Sequence, residues 1–280
     1  MNATPRNYLN NRDLMDEIHK SKNSFSSYTQ PEYHQYDIIV HDLKDINQET
    51  IAEAKKNKAK RLTMKEYEYR KANNTERPKM ADCAIDENSL SDQDIIFRIM
   101  SYDHIPYNHE RKKNPKTKAD FRDKVNFLPF QHWKFNEDNQ LICVGKSHWT
   151  GNINTGHFSK THGQITDKLA KMYMKLCERY STRSNVRGYS YIDEMKNQAL
   201  LQLVQVGLQF DEYKSDNPFS YLTSALINAQ IRIINIEKKS QVMRDELLET
   251  NGLNPSNTRL HDSEFEYYKK LADMFDKKTV

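Results

Sequence analysis

The chain has 280 residues, enough for two ordinary domains, but with 29% charged and 36% hydrophobic residues its cores must be modest. Seven Gly and eight Pro argue against a turn-rich β-sandwich, and no apolar run approaches the roughly 20 residues needed to span a bilayer. The net charge of +4 is small and unevenly spread: Lys55, Lys56, Lys58, Lys60, Arg61 and Lys65 form one basic run, and Arg111, Lys112, Lys113, Lys116 and Lys118 another. Such runs serve either as solvated surface or as attraction for nucleic-acid phosphates.

In chain order, residues 7 to 22 predict a short helix with Leu9, Leu14, Met15 and Ile18 for burial, and the start of the chain lacks the apolar core of a signal peptide. From Asn47 to Ala72 a long, highly charged helix is expected, polar nearly all round and so poorly buried. Ser91 and Asp94 have capping spacing and predict a short helix through Ile95, Ile96, Phe97, Ile99 and Met100. The basic stretch around residues 109–118 reads as a linker, and Val125 to Val144 as a small hairpin turning at Asn136 to Asn139. Further helices are expected from His162 to Tyr180, from Ser190 to near Phe210, and from Asn217 to about Leu248, with a short tail helix from Asp262 to Asp276.

Cys83, Cys143 and Cys177 are odd in number and widely spaced, which fits reduced thiols rather than disulfides or a zinc site. Gly145-Lys146-Ser147 resembles the end of a phosphate loop, but Gln140 stands where the first Gly is needed. His157 and His162 are five apart and do not share a helix face, so no metal and no cofactor is expected.

The helix after Asn217-Pro218 has two differently built faces. Asn is a strong N-cap and Pro suits the first helical turn. Tyr221, Ser224, Asn228, Arg232, Asn235 and Lys239 recur at steps of three and four, while Leu222, Ala225, Ala229, Ile233 and Ile236 keep the same rhythm on another side. The preceding helix carries two stripes as well: Ile192, Met195, Ala199, Leu203, Val206 and Phe210 on one side, and Glu194, Asn197, Leu201, Val204 and Leu208 nearly opposite.

Together, Phe210-Asp211, Asn217-Pro218-Phe219-Ser220-Tyr221-Leu222-Thr223, Arg232 and Glu237-Lys238-Lys239 resemble region two of bacterial sigma factors, specifically the late-transcription sigma factors of T-even-type bacteriophages. The resemblance covers Val144 to Met243. It implies a mainly α fold: a sigma region-two-like helical domain with a preceding hairpin over 126–249, after a charged, partly irregular N-terminal extension over 1–125 and before a tail over 250–280. It also implies a function: directing bacterial RNA polymerase core to phage late promoters by recognising and opening an AT-rich minus-ten element. The polymerase would do the chemistry, in the cytoplasm of the infected host, and the chain would not be an enzyme.

By resemblance, Phe210, Tyr221, Ser224, Asn228, Arg232, Asn235 and Lys239 face promoter DNA, with Phe210 and Tyr221 lining a pocket for a flipped base. Glu194, Asn197, Gln198 and Leu201 face the polymerase. Two departures matter: Ser224-Ala225 stands where housekeeping sigmas carry a tandem Trp wedge, and the residues after Lys239 are too few for a linker plus a helix-turn-helix reader. The family compensates with a DNA-tracking sliding clamp and coactivator, which implies clamp contacts at Leu271, Met274 and Phe275, apolar at i, i+3 and i+4. The alternative is a helical nucleic-acid-binding protein acting without polymerase. A nuclease would need clustered carboxylates, and Asp211-Glu212, the nearest pair, is adjacent in sequence and ill-suited to share a metal.

Overall fold

In the computed structural model, residues 9–73, 78–108, 116–261 and 265–267 are described. Among them, those up to Leu176 together with Leu201–Thr223 form one compact unit, and Cys177–Leu200 with the residues from Ser224 onward form a second. No described helix is long and apolar enough to cross a membrane.

The first unit is built on a mixed five-stranded sheet. Asn10 accepts the Asp13 N–H at 2.7 Å and so starts helix α1, Asn11–Ser24, whose Leu14 and Ile18 are buried. Strands β1, Ser26–Tyr28, and β2, Ile38–Val40, come next, and then helix α2, Gln48–Asn73. Asn47 and Thr50 cap α2 reciprocally, each side-chain oxygen accepting the other's backbone N–H at 2.8 and 2.9 Å. Strand β3, Phe97–Met100, lies parallel to β2, so α2 is the crossover that a parallel pair requires. It meets the sheet through Ala54, which packs with Val40, Ile95, Phe97 and Ile99, and through Ile51 against the same cluster. The rest of this helix is charged because little of it needs burial.

Strands β4, Phe130–Phe135, and β5, Leu141–Ser147, form an antiparallel hairpin turning over residues 136–140, and the sheet order is β1-β5-β4-β3-β2. Beyond it lies a two-stranded ribbon of β6, Trp149–Thr150, and β7, His157–Phe158. Three helices complete the chain: α3, Asp167–Ser181; α4, Ile192–Val206; and α5, Pro218–Thr250.

Two sequence expectations need correction. The chain is mixed α/β rather than a mainly α, sigma region-two-like bundle: its sheet takes β1, β2 and β3 from the stretch expected to be an irregular extension. The helix expected at Ile95 to Met100 is a strand. The Ser91–Asp94 capping box is formed, but it starts one 3-10 turn, Asp92–Asp94, and the β-branched run beyond it pairs on both sides, with β2 and β4. Gly145-Lys146-Ser147, which sequence already excludes as a phosphate loop, is part of β5, where a Cβ on Gly145 would meet the Tyr28 ring at 2.5 Å.

In the first unit, Leu169, Met172, Tyr173 and Leu176 of α3 are buried, and a 3-10 turn, Gly207–Gln209, prolongs α4. A Cβ on Gly207 would meet the Tyr173 hydroxyl at 2.1 Å and its ring carbon Cζ at 2.7 Å, and Tyr173 is fully buried. Gly207→Ala is therefore expected to destabilise the first unit by about 1–3 kcal/mol, read as a lower denaturant midpoint. An unchanged midpoint would show that this packing is loose.

The second unit has a small core of Val186, Met195 and Ile233, with Tyr189, Tyr191, Ile192 and Ile234 against it. Leu226 and Ala229 are also buried. Near its end Asp245 accepts both the backbone N–H and the hydroxyl of Ser256 at 2.8 Å, holding the turn that leads into helical residues 257–261. The expected tail helix lies largely outside the described residues, as do Leu271, Met274 and Phe275 and the basic residues Arg111, Lys112 and Lys113.

Candidate functional site

Helix α5 begins where sequence places it. The Asn217 side chain accepts the Ser220 N–H at 3.0 Å, and Pro218 is the first helical residue. At 33 residues the helix is roughly 50 Å long. In the second unit its faces separate cleanly: Leu226, Ala229 and Ile233 are buried, whereas Ser224, Asn228, Arg232, Asn235 and Lys239 are all exposed. Ile227 and Ile231 flank this polar stripe, 37% and 48% exposed, so the outer face offers amides, two cations and apolar surface together. The expected inner face reaches only to Ile233, since Ile236 is 46% exposed.

The same separation holds on α4. Met195 and Ala199 are fully buried, while Glu194 and Asn197 are exposed and Gln198 is half-buried. Leu201, in the first unit, is 56% exposed. Of the second stripe, Glu194, Asn197, Leu201 and Val204 are thus exposed, whereas Leu208 in the turn after α4 is buried.

The two aromatic residues behave differently. Phe210 and Tyr221 are in contact, ring centroids 5.6 Å apart, but Phe210 is 2% exposed and belongs to the core of the first unit. It cannot stack on a base, and its expected DNA contact is withdrawn. Tyr221 is half-buried, and its hydroxyl donates to the Val206 carbonyl at 2.9 Å. Burial raises the Tyr221 hydroxyl pKa.

Sequence reasoning missed the centre of charge in the first unit. Asp211 and Glu212 diverge: Asp211 stays near the surface against Lys214, and Glu212 turns inward. There its carboxylate receives Lys22 Nζ at 2.7 Å, an Arg98 guanidinium nitrogen at 2.7 Å, His19 Nε2 at 2.8 Å and the Tyr36 hydroxyl at 2.8 Å. Lys22, Arg98 and Glu212 side chains are all at most 4% exposed. Lys22 also donates to the Phe210 carbonyl at 2.9 Å, so the loop after α4 is pinned to α1 and β3.

Arg98 Nε donates to His132 Nε2 at 2.9 Å, which leaves Nδ1 as the protonated nitrogen, donating to the Tyr33 carbonyl at 2.7 Å. Burial, and then the Arg98 charge, push the His132 pKa well below the imidazole range, so the ring is neutral. The guanidinium is sandwiched between Tyr36 and Phe130, 3.8 and 3.9 Å from the ring centroids. Burial would raise the Glu212 carboxyl, but Lys22, Arg98 and His19 together hold it well below the usual carboxylate range. Lys22 is pushed down by burial, its attraction to Glu212 falling short of that cost because one carboxylate serves two cations. The one available signal was a lone arginine inside the apolar run Ile95-Ile96-Phe97-Arg98-Ile99-Met100, a position that demands a buried partner.

Among the described residues, no three His, Cys, Asp or Glu side chains are placed to share a metal ion. No protein-family model, curated protein or solved structure matches the chain.

Proposed function

We propose that the chain is a sigma-like transcription initiation factor, which joins bacterial RNA polymerase core and engages an AT-rich minus-ten element of phage late promoters. The observation that carries this reading is the exposed stripe Ser224, Asn228, Arg232, Asn235 and Lys239 on one face of α5, in the segment whose residue pattern resembles the promoter-reading part of sigma factors. Arg232 and Lys239 supply charge for phosphates, and the amides of Asn228 and Asn235 supply donors and acceptors for base edges. Glu194, Asn197 and Gln198 on α4, with Leu201, are the polymerase-facing residues of this reading.

Opening carries a cost that this face meets only partly. Extruding a base costs a few kcal/mol, and stacking it on a ring returns about 1–3 kcal/mol. With Phe210 inside the core and Ser224-Ala225 in place of a Trp wedge, Tyr221 is the ring left for stacking. The chain therefore captures separated strands better than it separates them, and relies on polymerase and on a sliding clamp held through Leu271, Met274 and Phe275.

A pull-down on purified polymerase core tests the proposal. The intact chain is expected to bind, and Glu194→Lys to weaken binding at least tenfold without changing the fold. Undiminished binding by the variant would remove Glu194 from the interface. No binding by the intact chain would leave a nucleic-acid-binding protein that acts without polymerase.

A further inference from the structure

The basic run of α2 is not a uniform solvated face. Its members at i, i+3 and i+7, Lys58, Arg61 and Lys65, converge with Lys134 of β4 on a half-open cavity of about 390 Å³ in the first unit. Lys55, in the same run, is paired with the Asp92 carboxylate at 2.6 Å. The three ammoniums of the cavity are not so paired. Lys58 donates to the main-chain carbonyl of Asp94, Lys65 to the Gln35 amide oxygen at 2.8 Å, and Lys134 to the Tyr33 hydroxyl at 3.0 Å, all neutral acceptors.

The nearby carboxylates have other duties. Asp37 is buried, holds Arg61 and accepts the Ile96 N–H at 3.0 Å, and Asp94 accepts the Ser91 N–H of its capping box. Arg61 keeps one buried donor, Nε, with no partner among the described residues. Glu32 is the remaining carboxylate of the wall, against three ammoniums. Burial lowers both Lys58 and Lys65; the Asp37 and Asp94 charges offset this in part at Lys58 and Asp37 does so at Lys65, while the Arg61 charge lowers both. Like charges gathered in a recess of this size are neutralised most effectively by a compact polyanion, and the volume falls within the range of small-ligand pockets.

We propose that this cavity binds the phosphate groups of a small polyphosphate, carried either by a nucleotide or by inorganic polyphosphate, through Lys58, Lys65 and Lys134 with Arg61 Nε as an additional donor. The site shares no residue with the α5 stripe, and its success or failure leaves that reading untouched.

Calorimetric titration of the full chain at low salt, with sodium tripolyphosphate and with ATP as probes, tests it. One-to-one binding is expected for both, weakened at least tenfold by Lys65→Glu and by the pair Lys58→Gln and Lys134→Gln. Lys65 is exposed, so its replacement leaves folding intact and keeps the test decisive if the double variant is unstable. Equal affinities for the two probes would identify the phosphate chain as the whole ligand, and tighter ATP binding would add the nucleoside. Absence of binding by both probes, or affinities unchanged by Lys65→Glu, would overturn the proposal. So would a 12-nucleotide single strand that binds in a Lys65-dependent way when neither probe does, which would assign the cavity to nucleic-acid backbone.

Discussion

Glu212→Ala is expected to lower the stability of the first unit by about 3–5 kcal/mol, because it strands Lys22 and Arg98 as buried cations with no counter-charge. The loss is the cost of the orphaned charges more than the worth of the pair, so Glu212→Gln, which keeps the shape and removes only the charge, is expected to be nearly as damaging. Both tryptophans, Trp133 and Trp149, lie in the first unit, so their fluorescence during denaturation isolates its transition. The pH dependence has a defined sign. Because the folded carboxyl titrates well below its unfolded value of about 4.3, the stabilisation is present above that value and is lost as pH falls through the folded one. Acid unfolding of the first unit should therefore flatten in the Glu212 variants. An unchanged acid limb and a loss under about 1 kcal/mol would show that this cluster is solvated in solution.

The second large effect is expected on DNA. Reversing both cations of the α5 stripe, Arg232→Glu with Lys239→Glu, should weaken binding to promoter DNA by about two orders of magnitude at moderate salt. Removing two phosphate contacts should also flatten the dependence of log affinity on log salt by about 1.8. Both residues are exposed, so stability should stay within about 0.5 kcal/mol of the unchanged chain. Mobility shift at several salt concentrations, with a denaturation curve alongside, separates the two readings. An unaltered salt slope would mean that α5 does not touch the DNA backbone.

Features decided by local interactions are legible in the sequence, and those decided by distant partners are not. The start of α5 is legible because Asn217 and Pro218 act within one turn, and its faces are legible up to Ile233 because burial there keeps to the helical period. The hairpin of β4 and β5 is legible from its aromatics and polar turn. The segment Ile95 to Met100 misleads for the opposite reason: its cap is local and correct, but its conformation is decided by pairing with residues 38–40 and 130–133. Strands β1 and β2 are three residues each, too short to show a period. Phe210 is misplaced by its motif because a motif position does not disclose what lies behind it, here the pinning of its own carbonyl by Lys22 from 188 residues away. Glu212 reads in sequence only as a poor metal ligand, since its partners Lys22 and Arg98 come from α1 and β3.

Promoter strands are expected to be held open only when this chain and polymerase core are together. Permanganate reactivity of thymines in a supercoiled template with an AT-rich minus-ten element measures this directly. Reactive thymines are expected across that element with core and chain combined, none with either alone, and reactivity should be lost with the Arg232 and Lys239 reversals. Thymines that stay protected in the complete mixture, or react equally with the reversed variant, would contradict the proposed function.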